Sequence, residues 1–469
     1  MHATLKRQRA AFHAAMPESL DLRDDRLKRA IALLIENKET LAAAASADFG
    51  NRSREQTLLS DILPAVNALR HARKHFRAWA RGERRRPLFP LGLLGARAEL
   101  RFQPKGVVGV MAPWNFPIGM VMVPLACILA SGNRAMIKPS EFTERTSDLM
   151  AELVARTFDE EEVAVVTGGV EVGQAFSALP FDHLIFTGAT SIGRHVMRAA
   201  ADNLVPVTLE LGGKSPTIIG RSADVAKAAS RIALGKMMNA GQVCIAPDYL
   251  LVPREKEDEL VGAIVAEASA MYPTLLGNPD YTSVINARHR LRLQALVDDA
   301  RDKGAEVIEV NPAKEDFAAS NGNTMPLTIL RRVDGAMAVM QEEVFGPVLP
   351  ILPYDTIDEA IDYVNAHDRP LALYYFGRDR AEEGRVLDRT ISGGVTINDV
   401  IMHITNDDLP FGGIGPSGMG HYHGVDGFRT FSHARSVFRQ TGLDVGRLAG
   451  LRPPYGKATA LQLRRELGK

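Results

Sequence analysis

Three residues of this chain have the types and settings needed for covalent carbonyl chemistry. Cys244 stands in Gly241-Gln242-Val243-Cys244-Ile245-Ala246-Pro247-Asp248-Tyr249, and the chain's only other cysteine is Cys127. Glu210 lies in Leu209-Glu210-Leu211-Gly212-Gly213-Lys214-Ser215-Pro216, and Asn115 in Pro113-Trp114-Asn115-Phe116-Pro117. A thiolate adds readily to an aldehyde carbon. The resulting hemithioacetal can lose its hydrogen as hydride, and the thioester left behind must be opened by water. A free thiol has a pKa of about 8.5, so backbone N–H groups, a cationic nicotinamide or a base must activate it. Glu210 is a candidate base for the water. It lies in the apolar run Val207–Leu211, immediately before Gly212-Gly213, which suggests a strand end facing a cleft, where burial would raise its pKa.

Each residue also has a bland reading. A lone cysteine is usually buried and inert, and Cys127, inside the apolar run Val121–Ala130, reads that way. A glutamate is commonly a surface or capping carboxylate. Asn115 is either an oxyanion donor or the polar residue of a proline-rich turn that bonds its own backbone. Pro113 and Pro117 restrict the backbone in both cases.

A dinucleotide fingerprint of the Gly-x-Gly-x-x-Gly kind does not follow a first strand. His183-Leu184-Ile185-Phe186 runs instead into Thr187-Gly188-Ala189-Thr190-Ser191-Ile192-Gly193. A strand, a glycine turn and a helix start with Thr and Ser would suit a pyrophosphate, although a capped strand-to-helix turn reads the same.

The strings around Asn115, Glu210 and Cys244, together with Phe186-Thr187-Gly188 and Glu342-Glu343-Val344-Phe345-Gly346-Pro347, resemble the aldehyde dehydrogenase superfamily. The likeness runs from the helical N-terminus to Phe431-Ser432-His433. Two further stretches resemble the class 3-like branch and, within it, the coniferyl aldehyde dehydrogenases. They are Cys244-Ile245-Ala246-Pro247-Asp248-Tyr249 and Leu409-Pro410-Phe411-Gly412-Gly413-Ile414-Gly415-Pro416-Ser417-Gly418-Met419-Gly420, the latter followed by Tyr422-His423-Gly424.

The resemblance implies roles residue by residue. Cys244 would be the nucleophile, Asn115 the oxyanion donor and Glu210 the base for deacylation. NAD, with NADP possible, would lie on Gly188, Thr190, Ser191 and Gly193; many relatives have Ser where this chain has Ala189. Lys138 and Glu141 would hold the adenosine ribose, with Glu141 repelling a 2′-phosphate. Glu343 would grip the nicotinamide ribose, Phe345 would pack the nicotinamide, and Trp114 would lie near the cofactor. Phe116, Phe411 and His423 are candidates for the mouth of an apolar substrate tunnel admitting aromatic, unsaturated or medium aliphatic aldehydes. The closely spaced His421 and His423 read as loop or interface histidines, so no metal is expected. The rival readings are a coenzyme A-acylating enzyme, which Glu210 argues against, and a non-catalytic binding protein, which the intact trio argues against.

The elements must position these groups. At 469 residues the chain exceeds what one core supports. Near-helical spacing runs from Leu27 to Leu41 and on through Ala45, and a second helix is expected over about Pro64 to Trp79. Short apolar runs then alternate with helical stretches: Val107–Met111, Arg134–Ile137, Val163–Thr167, His183–Phe186 and Val207–Leu209. A second series is Thr217–Ile219, Tyr249–Val252, Val348–Leu352, Leu373–Phe376 and Val395–Asn398. This rhythm predicts an α/β fold with two doubly wound lobes, one for cofactor and one for catalysis. The expected boundaries are 1–209 for the cofactor lobe, 210–400 for the catalytic lobe, and 401–469 for a return to the cofactor and oligomerisation region. The family implies a small β flap bridging subunits, built here from Arg97–Pro104 and the segment after about Gly424, and hence a homodimer.

Composition narrows the function class. Apolar residues make up 46% and charged residues 24% of the chain, an ordinary globular balance. Lys plus Arg equals Asp plus Glu, so no overall field points to nucleic acid. The five arginines between Arg77 and Arg86, broken by Gly82, Pro87 and Pro90, read as a solvated linker. Two cysteines build no disulfide framework, and no apolar run reaches the roughly 18 residues of a membrane span. A cytoplasmic enzyme acting on a small aldehyde is the expectation.

Overall fold

The computed structural model describes every residue except 318, 321, 449 and 469. Among the described residues the strands form three sheets. The first has the order Gly418–Met419, Val207–Glu210, His183–Thr187, Val107–Met111, Arg134–Lys138, Val163–Val165. All neighbours are parallel except the two-residue strand at its edge, which pairs Gly418 with Glu210 and Met419 with Leu209 in antiparallel register. The continuous apolar runs explain the arrangement: almost every residue of the central strands is buried, as strands covered on both faces require.

The second sheet has the order Glu306–Val310, Leu327–Arg331, Val348–Tyr354, Tyr249–Pro253, Pro216–Ile219, Ala372–Phe376, Gly394–Ile397. Only its first pair is antiparallel. The third sheet is small, antiparallel and half-exposed: Glu83–Arg85, Arg97–Pro104 and Ser432–Arg439. The chain is therefore α/β with two mainly parallel sheets, as the rhythm predicts.

Four strands escaped the sequence reading. Glu83–Arg85 is charge-dense and lies in the stretch read as a linker. Gly418–Met419 is too short to show a period. Glu306–Val310 and Leu327–Arg331 are at or beside the sheet edge and carry charged residues. The helical spacing from Leu27 to Ala45 also divides into two helices, Leu20–Glu36 and Lys38–Phe49. The break falls at Asn37, whose side-chain amide donates to the Leu33 carbonyl 2.8 Å away and so competes with the helix ladder. The segment after Gly424 begins as a short helix, Gly424–Thr430, and only then becomes a strand against Arg97–Pro104.

The ends of the first sheet matter most. Trp114 and Asn115 follow strand Val107–Met111, and Glu141 follows Arg134–Lys138. Gly188 follows His183–Thr187, and Glu210 closes Val207–Glu210. All four segments leave the carboxyl ends of parallel strands, where ligands bind in open α/β sheets. The chain crosses to the second sheet between Glu210 and Pro216, so the Cys244 segment enters from the other lobe.

Candidate active site

Helix Val225–Met237 ends in a strained turn just before Cys244. Asn239, Ala240 and Gly241 all take left-handed backbone, with φ of 51°, 51° and 72°. Non-glycine residues avoid this region unless the surroundings over-determine it. At Gly241 a Cβ would collide with the Gly346 carbonyl oxygen, so only glycine fits. Around the turn is a buried polar cage. The Asn239 amide donates to the carbonyls of Asn115 at 3.0 Å and Gln242 at 3.1 Å. The Asn239 backbone N–H donates to Gln56 Oε1 at 3.1 Å. Gln242 donates to the Asn239 and Ser283 carbonyls at 2.8 and 3.1 Å, and accepts from the Ile285 N–H at 3.0 Å.

The Cys244 thiol stands beyond this cage, partly exposed, facing its own N–H and that of Ile245. Burial, with help from Glu343 and Glu210, nevertheless pushes it up to about 12. Those two carboxylates are thus near enough to act on the sulfur. The thiol rests protonated at neutral pH and needs a partner to take its proton.

Asn115 is almost fully buried. Its side-chain amide donates to the Gln242 carbonyl at 3.1 Å, and its own carbonyl accepts from Arg52 Nη1 at 2.9 Å. One bond of that kind leaves the second amide hydrogen for another acceptor. Arg52 was not singled out by sequence, where nothing in Gly50-Asn51-Arg52-Ser53 marks it. It is buried between the rings of Phe49 and Phe116, at 4.9 and 5.2 Å, with Asp61 3.6 Å away. Burial raises Asp61 to about 6 against the pull of Arg52.

Glu210 is sealed in, and neither carboxylate oxygen has a hydrogen-bond partner. Burial alone raises its pKa well above the ordinary value. Such a carboxyl holds its proton until a polar guest, such as water, solvates it.

The turn after Thr187 is tied to this residue, because the Gly188 N–H donates to the Glu210 carbonyl at 3.0 Å. Helix Thr190–Ala201 begins at Ala189 with no side-chain cap, and Ser191 is exposed. The Thr190 hydroxyl turns away to the Pro416 carbonyl at 3.2 Å. Gly193 also has a packing role. It is buried, and a Cβ there would lie 2.6 Å from Leu211, so it lets helix and strand pack closely. Lys138 and Glu141 come together at 2.9 Å.

Glu343 and Phe345 arrive from the other lobe. Glu343 accepts from the Gly213 N–H, fills the space a side chain on Gly212 would take, and is raised to about 8 by burial and by Asp248. Phe345 has φ 49° and meets Trp114 edge-on, with ring centres 5.4 Å apart. His289, which sequence reading missed, packs against the other side of Trp114 at 5.1 Å.

Phe116, Phe411 and His423 were expected at a tunnel mouth. All three are buried, at 7%, 4% and 5% exposure. Phe116 covers Arg52. Phe411 is sandwiched between His403 and His423, at 6.0 and 5.2 Å, and neither ring nitrogen of His423 has a partner. Among the described residues no group of three or more His, Cys, Asp or Glu side chains could hold a metal.

A thiol with backbone N–H groups beside it, an unpartnered buried carboxyl and a fixed amide, near the carboxyl ends of parallel strands, make up the candidate site. The aldehyde dehydrogenase family profile matches residues 1–437. A probable coniferyl aldehyde dehydrogenase of Caulobacter vibrioides is 55% identical over all of this chain and 97% of its own. The coniferyl aldehyde dehydrogenase of a Pseudomonas species is 55% identical over 97% of this chain and 94% of its own. The substrate-bound AldH of Staphylococcus aureus superposes with a TM-score of 0.91 at 35% identity, covering 98% of both chains. An indole-3-acetaldehyde dehydrogenase complexed with NAD+ gives 0.85 at 26% identity, over 93% of this chain and 88% of that one. The chain belongs to the aldehyde dehydrogenase family. It is an enzyme of the NAD(P)-dependent aldehyde dehydrogenase class. No helix among the described residues is long and apolar enough to cross a membrane.

Proposed function

We propose that this enzyme oxidises coniferaldehyde or a similar aromatic, unsaturated aldehyde to the carboxylic acid through a thioester on Cys244. The observation that carries the reading is the convergence of Glu210 and Glu343, from two separate segments, on Cys244, whose partly exposed sulfur both carboxylates act on. The substrate follows from the two relatives with that activity in their names, at 55% identity over nearly full length.

The residues divide the work. Cys244 Sγ bonds to the aldehyde carbon as its proton leaves through water to solvent, since Glu210 and Glu343 both hold their own protons at rest. The Cys244 N–H and the Asn115 amide hold the oxygen that becomes negative; each such donor is worth roughly 10²–10³ in rate. NAD supplies the hydride acceptor when bound. The surroundings fit it. The uncapped helix start at Thr190 and Ser191, next to Gly188, offers backbone N–H groups to a pyrophosphate. Lys138 and Glu141 would hold the adenosine ribose, and Glu343, close enough to act on Cys244, would with Phe345 hold the nicotinamide half. Glu141 would repel a 2′-phosphate and so favour NAD over NADP. Glu210 then takes a proton from the water that attacks the thioester, and the acid leaves as Cys244 is freed. A side chain that has no partner of its own is suited to this exchange.

We assign residues 1–209 to the cofactor lobe, 210–400 to the catalytic lobe and 401–469 to the returning segment. The small sheet carries exposed Leu88, Phe89 and Leu93 on the loop between its first two strands, and we read it as the face a second copy covers in a homodimer.

The test is acid-quenched turnover with coniferaldehyde and NAD, followed by peptide mass spectrometry. A Cys244 peptide carrying the feruloyl group supports the mechanism; steady NADH production with Cys244 never acylated overturns it.

A further inference from the structure

Glu210 and Cys244 are each followed, four residues later, by a charged side chain: Lys214 after the first, Asp248 after the second. Lys214 and Asp248 form an ion pair with each other, their side chains 12% and 5% exposed. The pair then takes hold of a third segment. Lys214 Nζ donates to the carbonyls of Val339 at 2.7 Å and Glu342 at 3.0 Å, and Asp248 Oδ2 accepts from the Val344 N–H at 2.9 Å. All three ammonium donors and both carboxylate oxygens are thereby used.

The segment so held contains Glu343 and leads directly into Phe345. From its other side Arg292 reaches the carbonyls of Glu343, at 3.2 Å, and Val344. Arg292 touches neither catalytic string by these bonds; the Gly213 N–H also reaches Glu343, and the Lys214–Asp248 pair ties the segment to both strings at once. Neither Lys214 nor Asp248 bonds the substrate or takes a proton in the proposed reaction, although both act on Glu343.

We propose that the Lys214–Asp248 pair is the positioning device for the nicotinamide half of the dinucleotide, fixing Glu343 and Phe345 in register with Cys244 and Glu210. The inference rests on the reading of this site as an NAD-dependent one. Removing one member takes from the other its direct ion-pair partner, leaving Asp248 only the more distant charge of Lys236, and frees backbone groups of the Val339–Val344 segment. The segment then moves relative to Cys244, whereas the strand ends carrying Glu210 and the buried cage behind Cys244 keep their own bonds.

The experiment uses the full chain with Lys214→Met and, separately, the isosteric Asp248→Asn. NAD affinity is read by calorimetry without aldehyde, and cofactor-free hydrolysis of p-nitrophenyl acetate reports on Cys244 and Glu210. The expected result is a rise of about tenfold or more in the Kd and KM for NAD, with ester hydrolysis falling no more than about threefold. Lys214→Arg, which keeps a cation, should recover part of the affinity. Unchanged NAD affinity overturns the proposal. So does ester hydrolysis that falls in step with affinity, because the pair would then only support the fold. Should Lys214→Met fail to fold, Asp248→Asn carries the same criteria, and failure of both to fold counts against the proposal. Parental enzyme that binds no NAD would instead refute the reading of the site, before any variant is measured.

Discussion

Cys244 and Cys127 are both pushed up to about 12, yet their surroundings differ in kind. Cys127 is sealed in the core and its Sγ faces carbonyl oxygens, those of Tyr422 at 3.1 Å and Gly424 at 3.7 Å. Asp407 and Asp426 add to the effect of burial. A carbonyl can accept from a thiol but repels a thiolate. Cys244 is partly exposed and faces two backbone N–H groups, which stabilise negative charge on sulfur, while burial and two carboxylates oppose it. The same elevation therefore has opposite meanings. At Cys127 every neighbour favours the thiol. At Cys244 the opposing carboxylates are titratable groups, so protonating or solvating them changes the sulfur.

The comparison breaks most plainly at the nucleophile. Cys244→Ala should abolish aldehyde-dependent NADH formation, whereas Cys127→Ala should keep near-parental kcat; comparable activity in both variants would remove the distinction. Glu210→Gln should lower steady-state turnover by roughly 10²–10⁴ while an initial burst of NADH survives, as loss of a general base in the second half-reaction requires. Absence of a burst in rapid-mixing measurements would place Glu210 before hydride transfer. Asn115→Ala should cost roughly 10²–10³ in kcat with a smaller change in NAD affinity.

Smaller effects sharpen the electrostatic side. Glu210 raises the Cys244 pKa, so Glu210→Gln should move the pH dependence of iodoacetamide modification at Cys244 to lower pH. Cys127 should stay unmodified throughout in the native enzyme. Burial raises Glu210 itself, so the folded state holds this proton more tightly than the unfolded chain. Its contribution to stability is greatest below the ordinary glutamate pKa and is lost as pH rises toward the raised value. Glu210→Gln should therefore melt at a higher temperature than the parent at pH 8, with the difference shrinking toward pH 4; an equal difference at both ends would contradict the assignment. Cys127→Ala should lose about 1 kcal/mol in urea unfolding, a packing change without catalytic consequence.

Much of this was legible in sequence because it is local. Continuous apolar runs specify buried parallel strands, and ten such runs became strands of the two large sheets. Cys127 inside Val121–Ala130 could only be core. The edge strands at 83–85, 306–310 and 418–419 were not legible, since partners on the sheet, and not their own pattern, make them strands.

The chain by itself determined which chemistry is available: a thiol, an amide and a carboxyl, each beside glycine or proline that shapes the backbone. Tertiary structure alone decided how they act. It removed every partner from Glu210, tied Asn115 to the Gln242 carbonyl, turned Gly193 to packing and buried Phe116 over Arg52. It also joined Lys214 and Asp248 into one clamp. Each of these depends on groups far apart in sequence meeting where water is excluded. Desolvation and the loss of alternative partners then set the energies, and no local pattern encodes either.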